Sequence, residues 1–204
     1  MKTVLKSIFL LTISFSCFSQ NSGKENLNLA FINQCTNKKI SPEFEILMSE
    51  LSSELNYEYI TVYKEIDDWV AQYTTVVKTK IDTIYIPKIL FAGGNELHSQ
   101  RWTYLNCEKV CNGIETDFYS NGNKRLEGKF VNGKPAYIKY FRKNGILESE
   151  KLYITGEFEA YRENDFDESG NLLEYRTREK FSKRIVIKTF DKEDNLLNKE
   201  IQKF

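Results

Sequence analysis

The sequence predicts a β-rich α+β chain: a small N-terminal region with one amphipathic helix against a few strands, leading into an antiparallel meander of β-hairpin repeats. Three observations predict it. Four segments of the C-terminal half repeat an aromatic residue, a polar turn and a leucine, with turn positions 23, 25 and 24 residues apart. Residues 57–64 alternate in the manner of a strand, with Tyr57, Tyr59, Thr61 and Tyr63 on one side and Ile60 and Val62 on the other. Ser41-Pro42-Glu43-Phe44-Glu45 carries a capping serine, a first-turn proline and two acids suited to the positive end of a helix.

The first residues read as an export leader. Lys2 and Lys6 precede a short apolar stretch from Ile8 to Phe15, and Ser19 offers a small residue before Gln20. The stretch is shorter than the ~20 apolar residues that span a bilayer. Residues 1–19 are therefore expected to be removed, with cleavage between Ser19 and Gln20 and a periplasmic or secreted destination. A rival reading places a lipid on Cys17, which Ser16 precedes, although Ser14 and Phe15 fit that signal poorly. Only that anchor would bring the chain to a membrane.

Residues 20–110 are expected to form the small α+β region. After the cap, Phe44, Leu47, Met48, Leu51 and Leu55 recur at helical spacing, which predicts a helix with one buried face. Ile66 to Tyr73 predicts a second, short helix presenting Ile66, Trp69, Val70 and Tyr73. Thr74 to Phe91 is rich in β-branched residues and predicts a long or bent strand interrupted at Pro87. Gly93-Gly94-Asn95 predicts a turn.

Composition excludes several functions. Lysines and arginines equal the acids at 29 each, and residues 21–113 carry 9 basic and 12 acidic side chains. Neither half holds the cationic excess that a phosphate backbone requires, so nucleic acid is not an expected partner. No phosphate-loop pattern surrounds the glycine pair, and no nucleophile elbow accompanies His98, the single histidine. Adjacent carboxylates such as Asp67-Asp68 would diverge by about 100° on a helix. No catalytic residue and no cofactor are expected; a hydrolase using His98 or the Cys107 thiol is the remote alternative.

Cleavage would leave Cys35, Cys107 and Cys111, an odd number in an oxidising compartment. A bend could close Cys107 on Cys111, or Cys35 could pair with either. Structural zinc needs four ligands in paired spacing, which the chain does not offer, so no metal is expected.

Residues 111–204 hold the repeats. Phe118-Tyr119-Ser120-Asn121-Gly122 is followed by Tyr140-Phe141-Arg142-Lys143-Asn144-Gly145, by Asp165-Phe166-Asp167-Glu168-Ser169-Gly170 and by Thr189-Phe190-Asp191-Lys192-Glu193-Asp194. Asn121-Gly122, Asn132-Gly133 and Asn144-Gly145 predict two-residue hairpins, because both turn positions tolerate positive φ. Each hairpin is marginal alone, so the units must stack into a meander of about six to eight strands. Asp194 replaces the glycine in the last, capping unit.

Residues 111–145 resemble MORN-variant repeats. The resemblance rests on Tyr119-x-Asn121-Gly122, Leu126-Glu127-Gly128-x-Phe130-x-Asn132-Gly133-Lys134 and Tyr140-x3-Asn144-Gly145. From Ser149 to Phe204 most of the glycine positions are lost, and residues 21–106 lie outside the match. The resemblance implies a single-layer sheet of hairpins and an interaction role; some members are labelled antitoxins of toxin–antitoxin pairs, others are linked to membrane surfaces. An export leader argues against a cytoplasmic antitoxin.

The expected function is an exported, non-enzymatic interaction or structural module whose partner is another protein, with the lipid-anchored envelope module as the alternative. Tyr137, Tyr140, Phe141, Tyr153 and Tyr161 are the candidate contact aromatics, against a reading in which they build the sheet core. The leader is tested by intact mass of the exported protein. A chain beginning at Gln20 is expected, with two alkylatable thiols gained only after reduction; a diacylglycerol adduct at Cys17 would overturn the soluble reading.

Overall fold

The computed structural model describes residues 28–40, 44–52, 57–77, 81–94 and 101–204. Cys17, the cleavage position at Ser19 and Gln20, the cap at Ser41-Pro42 and His98 lie outside the described residues. Everything regular within them is strand, so the α+β expectation is corrected to an all-β fold.

The N-terminal part contributes β1 (Asn28–Asn33), β2 (Lys38–Lys39), β3 (Phe44–Ser52), β4 (Tyr57–Ile66), β5 (Trp69–Val77), β6 (Ile81–Ile86), β7 (Ile89–Gly94), β8 (Trp102–Asn106) and β9 (Lys109–Val110). These make two sheets, a six-stranded antiparallel one in the order β3-β4-β5-β7-β8-β9 and a three-stranded one in the order β2-β1-β6, where β1 and β6 run parallel. The rest is β10 (Gly113–Phe118), β11 (Lys124–Val131), β12 (Lys134–Phe141), β13 (Leu147–Tyr153), β14 (Ala160–Phe166), β15 (Leu172–Phe181), β16 (Arg184–Asp191) and β17 (Leu196–Lys203). They pair strictly in chain order as an eight-stranded antiparallel meander.

Both expected helices are strands. Phe44–Ser52 pairs with β4 in a register that sets Ile46 opposite Val62 and Met48 opposite Ile60. The sequence FEILMSELS carries apolar residues at spacings of two as well as three and four. Its period is therefore ambiguous, and pairing with a β-rich neighbour overrides local helical preference. Ile66 to Tyr73 is likewise no helix: Asp67 and Asp68 form the tip of the β4–β5 hairpin, with Asp67 at φ 50°. Acidic side chains tolerate that left-handed conformation better than most. Thr74 to Phe91 is not one strand either. It runs through β5, β6 and β7, and Pro87 marks the place where the chain leaves the three-stranded sheet for the six-stranded one. Gly93 and Gly94 belong to β7 rather than to a turn, and a Cβ on Gly93 would lie 3.1 Å from the Trp102 ring.

The six-stranded sheet is the middle layer of the N-terminal part, and strand alternation assigns its two faces. Ile60 and Val62 of β4 and Leu90 of β7 pack with Ile84, Ile86 and Phe31 of the three-stranded sheet. One residue out of phase, Ile89 and Tyr104 pack with Leu126, Phe130, Ile138 and Tyr153 of the meander. The meander thus has a covered first half, β10 to β13, and an uncovered remainder whose last strand β17 is exposed at every position.

The turns explain the repeat. Gly122, Gly145, Gly170 and Asp194 all have positive φ, whereas Asn121 and Asn144 do not. Each loop is a three-residue turn: the amide of Gly122 donates to the carbonyl of Tyr119, and the amide of Tyr119 donates to the carbonyl of Asn123. Arg142, Asp167 and Asp191 repeat that pattern with Ile146, Asn171 and Asn195. The two-residue expectation is therefore corrected for Asn121-Gly122 and Asn144-Gly145, and it describes Asn132-Gly133, where both residues have positive φ between paired Val131 and Lys134. The recurrent aromatic–leucine spacing is a cross-strand pair closing each loop: Phe141 with Leu147, Phe166 with Leu172, Phe190 with Leu196.

The Asn132-Gly133 tip is the point where the meander meets β8. The Gly133 carbonyl accepts from the Tyr104 amide at 2.9 Å, and the Gly133 amide donates to the Cys111 carbonyl at 2.8 Å. A Cβ there would fall 1.9 Å from Oγ1 of the buried Thr103. Gly133→Ala is therefore expected to cost about 2–5 kcal/mol, from left-handed strain plus overpacking. Gly122→Ala, with nothing within 4 Å of the added methyl, should cost only about 1–2 kcal/mol. Urea denaturation of the two variants checks the order; equal losses would place the tip away from β8.

Candidate interaction surfaces and sites

A clamp of side chains joins the N-terminal sheet to the meander. Asp117 of β10 is fully buried, and Arg125 of β11 reaches its Oδ2 with Nη2 at 2.6 Å and Nε at 3.0 Å. The same carboxylate oxygen accepts from the Ile89 amide at 3.3 Å, while Arg125 Nη2 donates to the Ile89 carbonyl at 3.1 Å. The ion pair satisfies the backbone of the residue where β7 begins.

The candidate contact aromatics do not gather into one surface. Tyr153 is buried, and Tyr140 packs beside it against the core formed by Ile89, Phe130 and Ile138. Tyr137 lies under Lys139, whose Nζ is 5.6 Å from its ring centroid, and Phe141 lies under Lys124 at 5.3 Å. Tyr161 alone among the five is exposed. Tyr140 and Tyr153 serve the core, because both lie on the meander face that β8 covers. Burial raises the pKa of Tyr104 and of Tyr153 well above the ordinary phenol value, and the neighbouring phenol of Tyr140 adds to both.

Cys35 and Cys107 are joined by a disulfide with a Cα–Cα distance of 5.7 Å. It ties the β1–β2 turn to the β8–β9 turn, where Cys107 sits at φ 56°. Of the alternatives open in the sequence, the pairing is between Cys35 and Cys107. Cys111 is a buried free thiol that desolvation, assisted by Glu115, pushes up to about 12. Such a thiol is not a nucleophile near neutral pH. A cavity of about 500 Å³ lies against the disulfide, floored by Ile66, Ile86, Pro87 and Leu90 and rimmed by Asn33 and the Lys64–Glu108 ion pair. Among the described residues no cluster of three or more His, Cys, Asp or Glu could hold a metal, and no helix is long and apolar enough to cross a membrane.

The turns at one end of the meander form a hydrogen-bonded row. Asn121 and Asn123 donate to the Lys143 carbonyl, Tyr119 donates to the Phe141 carbonyl, and Arg142 donates to the carbonyls of Phe166 and Asp167. The residues picked out by the repeat are thus scaffold, each turn bracing the next. Hydrogen bonds from the backbone and side chain of Asn171 hold the Asp167 carboxyl below its ordinary value, and Asn195 does the same for Asp191.

The uncovered part of the meander presents a different surface. Leu173, Phe181, Leu196, Leu197, Ile201 and Phe204 are all exposed, and one edge of β17 has no neighbouring strand among the described residues. Sequence reading missed this surface. Its signal was the apolar content of the last unit, Leu196-Leu197 and Ile201, in a place where a capping strand would be polar. Compared with known proteins, the chain matches no family model and no curated protein.

The phenol cluster gives a pH dependence. Because folding raises the pKa of Tyr104 and Tyr153, their stabilisation is whole below the unfolded phenol value of about 10 and is lost as pH climbs above it. Phenolate absorbance followed together with circular dichroism should show these two ionising only as the fold is lost. Ionisation of all 12 tyrosines near pH 10 with the sheets intact would contradict their burial.

Proposed function

We propose that this chain is an exported, non-enzymatic interaction module built on MORN-like hairpin repeats, and that it contacts a partner protein through the uncovered part of the meander. The observation that carries the reading is β17, exposed at every position and bordered by Leu196, Leu197, Ile201 and Phe204. An edge strand without proline, joined to exposed apolar side chains, is a template for a strand or loop of another chain, with backbone hydrogen bonds supplying affinity and the side chains selectivity. The covered half of the same sheet gives that surface a rigid mount. Support for export comes from the leader-like start and from the Cys35–Cys107 disulfide, which is compatible with an oxidising compartment.

The lipid-anchored envelope module rests on Cys17 alone and has no structural observation behind it. The reading is tested by capture from the exported fraction with the wild-type chain and with a Leu197→Asp, Ile201→Asp variant. Both positions are exposed, so the variant is expected to fold. A specific protein retained by the wild type and released at least about tenfold more readily by the variant is the expected result. Equal capture by both, or repeated recovery of nothing specific, would sink it.

A further inference from the structure

Both tryptophans of the chain, Trp69 and Trp102, line one open cleft of about 760 Å³ at the start of β8, beside the docked Asn132-Gly133 tip. Its volume falls within the roughly 300–1,000 Å³ of small-molecule sites. Three features of the lining define what would fit. The first is a fixed aromatic platform. The Trp102 ring lies parallel to that of Phe91, with centroids 5.3 Å apart and planes 4° from each other, and Phe158 tilts against Phe91 at 5.8 Å. Gly93 leaves room for the indole, yet nearly half of the Trp102 surface stays exposed. A large, rigid aromatic left in water and backed by further rings is organised before any ligand arrives.

The second feature is charge. Arg101 stands 5.5 Å over the Trp69 ring, and Lys134 enters from β12. No acid lines the cleft among the described residues, and neither cation has a carboxylate partner among them. That sets the cleft apart from the uncovered meander, where Lys151, Arg176 and Lys188 all pair with carboxylates. The third feature is the polar rim, to which Asn132 brings a side-chain amide able both to donate and to accept.

We propose that this cleft binds an acidic saccharide, a sugar carrying a carboxylate. The C–H bonds of one sugar face would rest on the negative face of the Trp102 indole. The carboxylate would lie between Arg101 and Lys134, and Asn132 would meet ring hydroxyls. A flat indole beside separated cations suits a ring with an appended acid better than an extended acidic peptide, whose backbone offers no face to stack. This site lies apart from the β17 surface, so either reading stands without the other.

The test uses intrinsic fluorescence of the full-length protein, since no tryptophan lies elsewhere. Trigalacturonic acid is titrated against maltotriose as the neutral counterpart and hexaglutamate as the acidic peptide. Saturable quenching by trigalacturonic acid is expected, with binding of maltotriose weaker by at least roughly tenfold, the loss of two charge-assisted contacts. An Arg101→Gln, Lys134→Gln variant should show the same loss for the acidic sugar. A Trp102→Ala variant, read through Trp69, should bind neither sugar. All three substituted positions are solvent-exposed, and circular dichroism confirms folding of each variant. No saturable response, equal binding of maltotriose, hexaglutamate binding as tightly as the acidic sugar, or unaltered affinity in either variant would each overturn the proposal.

Discussion

The architecture depends on how Ile89 is satisfied. The chain enters β7 directly from Pro87 and Lys88, having just left another sheet, and at that point β7 faces the meander rather than a neighbouring strand. A backbone amide and carbonyl so placed cannot stay unpaired without a cost of about 1–3 kcal/mol each. Asp117 and Arg125 meet both groups at once, one carboxylate oxygen accepting and one guanidinium nitrogen donating. The pair therefore imitates the two hydrogen bonds that an adjacent strand would make. Because Asp117 is almost fully buried, loss of either side chain would strand its partner, an effect of about 3–5 kcal/mol for buried pairs. The aliphatic and phenolic core around Ile89, Phe130, Ile138 and Tyr153 can close only where this polar contact is complete. The clamp fixes which stretch of the meander lies on the N-terminal sheet, and so which stretch stays open.

Much of the meander was legible in the sequence because its information is local. The spacing of turns, the left-handed glycines and the cross-strand aromatic–leucine pairs all lie within a dozen residues of one another. The loop type was not legible: Asn-Gly supports both two-residue and three-residue turns, and the choice falls to the bulge between each aromatic residue and the strand before it. The N-terminal part was misread for the opposite reason. Phe44 to Ser52 has apolar residues compatible with two periods, and only its pairing with β4 decides between them. Pro87 was visible as an interruption, but its meaning, a change of sheet, depends on a parallel partner 53 residues earlier in the chain. Of the candidate contact residues, Tyr140 and Tyr153 proved to be core, since a sheet covered over only half its length gives identical repeats different environments. The two tryptophans carried no motif, and only the fold brings them to one cleft.

Where no layer covers it, the sheet is held by contacts along its own surface. Arg162 lies 4.0 Å over the Tyr175 ring, which stacks on Phe190 at 5.0 Å and donates to Asp194 at 2.6 Å. Lys151, Glu163, Arg176 and Asp165 form a chain of ion pairs across three strands. Each such pair contributes roughly 0.2–1 kcal/mol, so none is decisive, yet they recur on successive strands. Backbone pairing supplies continuity, and these rows keep a one-layer sheet in register without a core beneath it. A surface so built can stay flat and accessible on both sides.

The parallel pairing of β1 with β6 has a consequence for the order in which the molecule can form. Asn28 meets Ile81 only after 53 intervening residues are available, and β7 beyond them needs Asp117 and Arg125 from still later in the chain. The meander, by contrast, grows by adding each strand to the one just made, with short loops and little entropy of closure. A chain emerging from its N-terminus therefore presents first the part that must wait longest. The late-emerging hairpins can assemble on their own and then serve as the template on which the earlier residues settle, so that synthesis and folding run in opposite directions along this polypeptide.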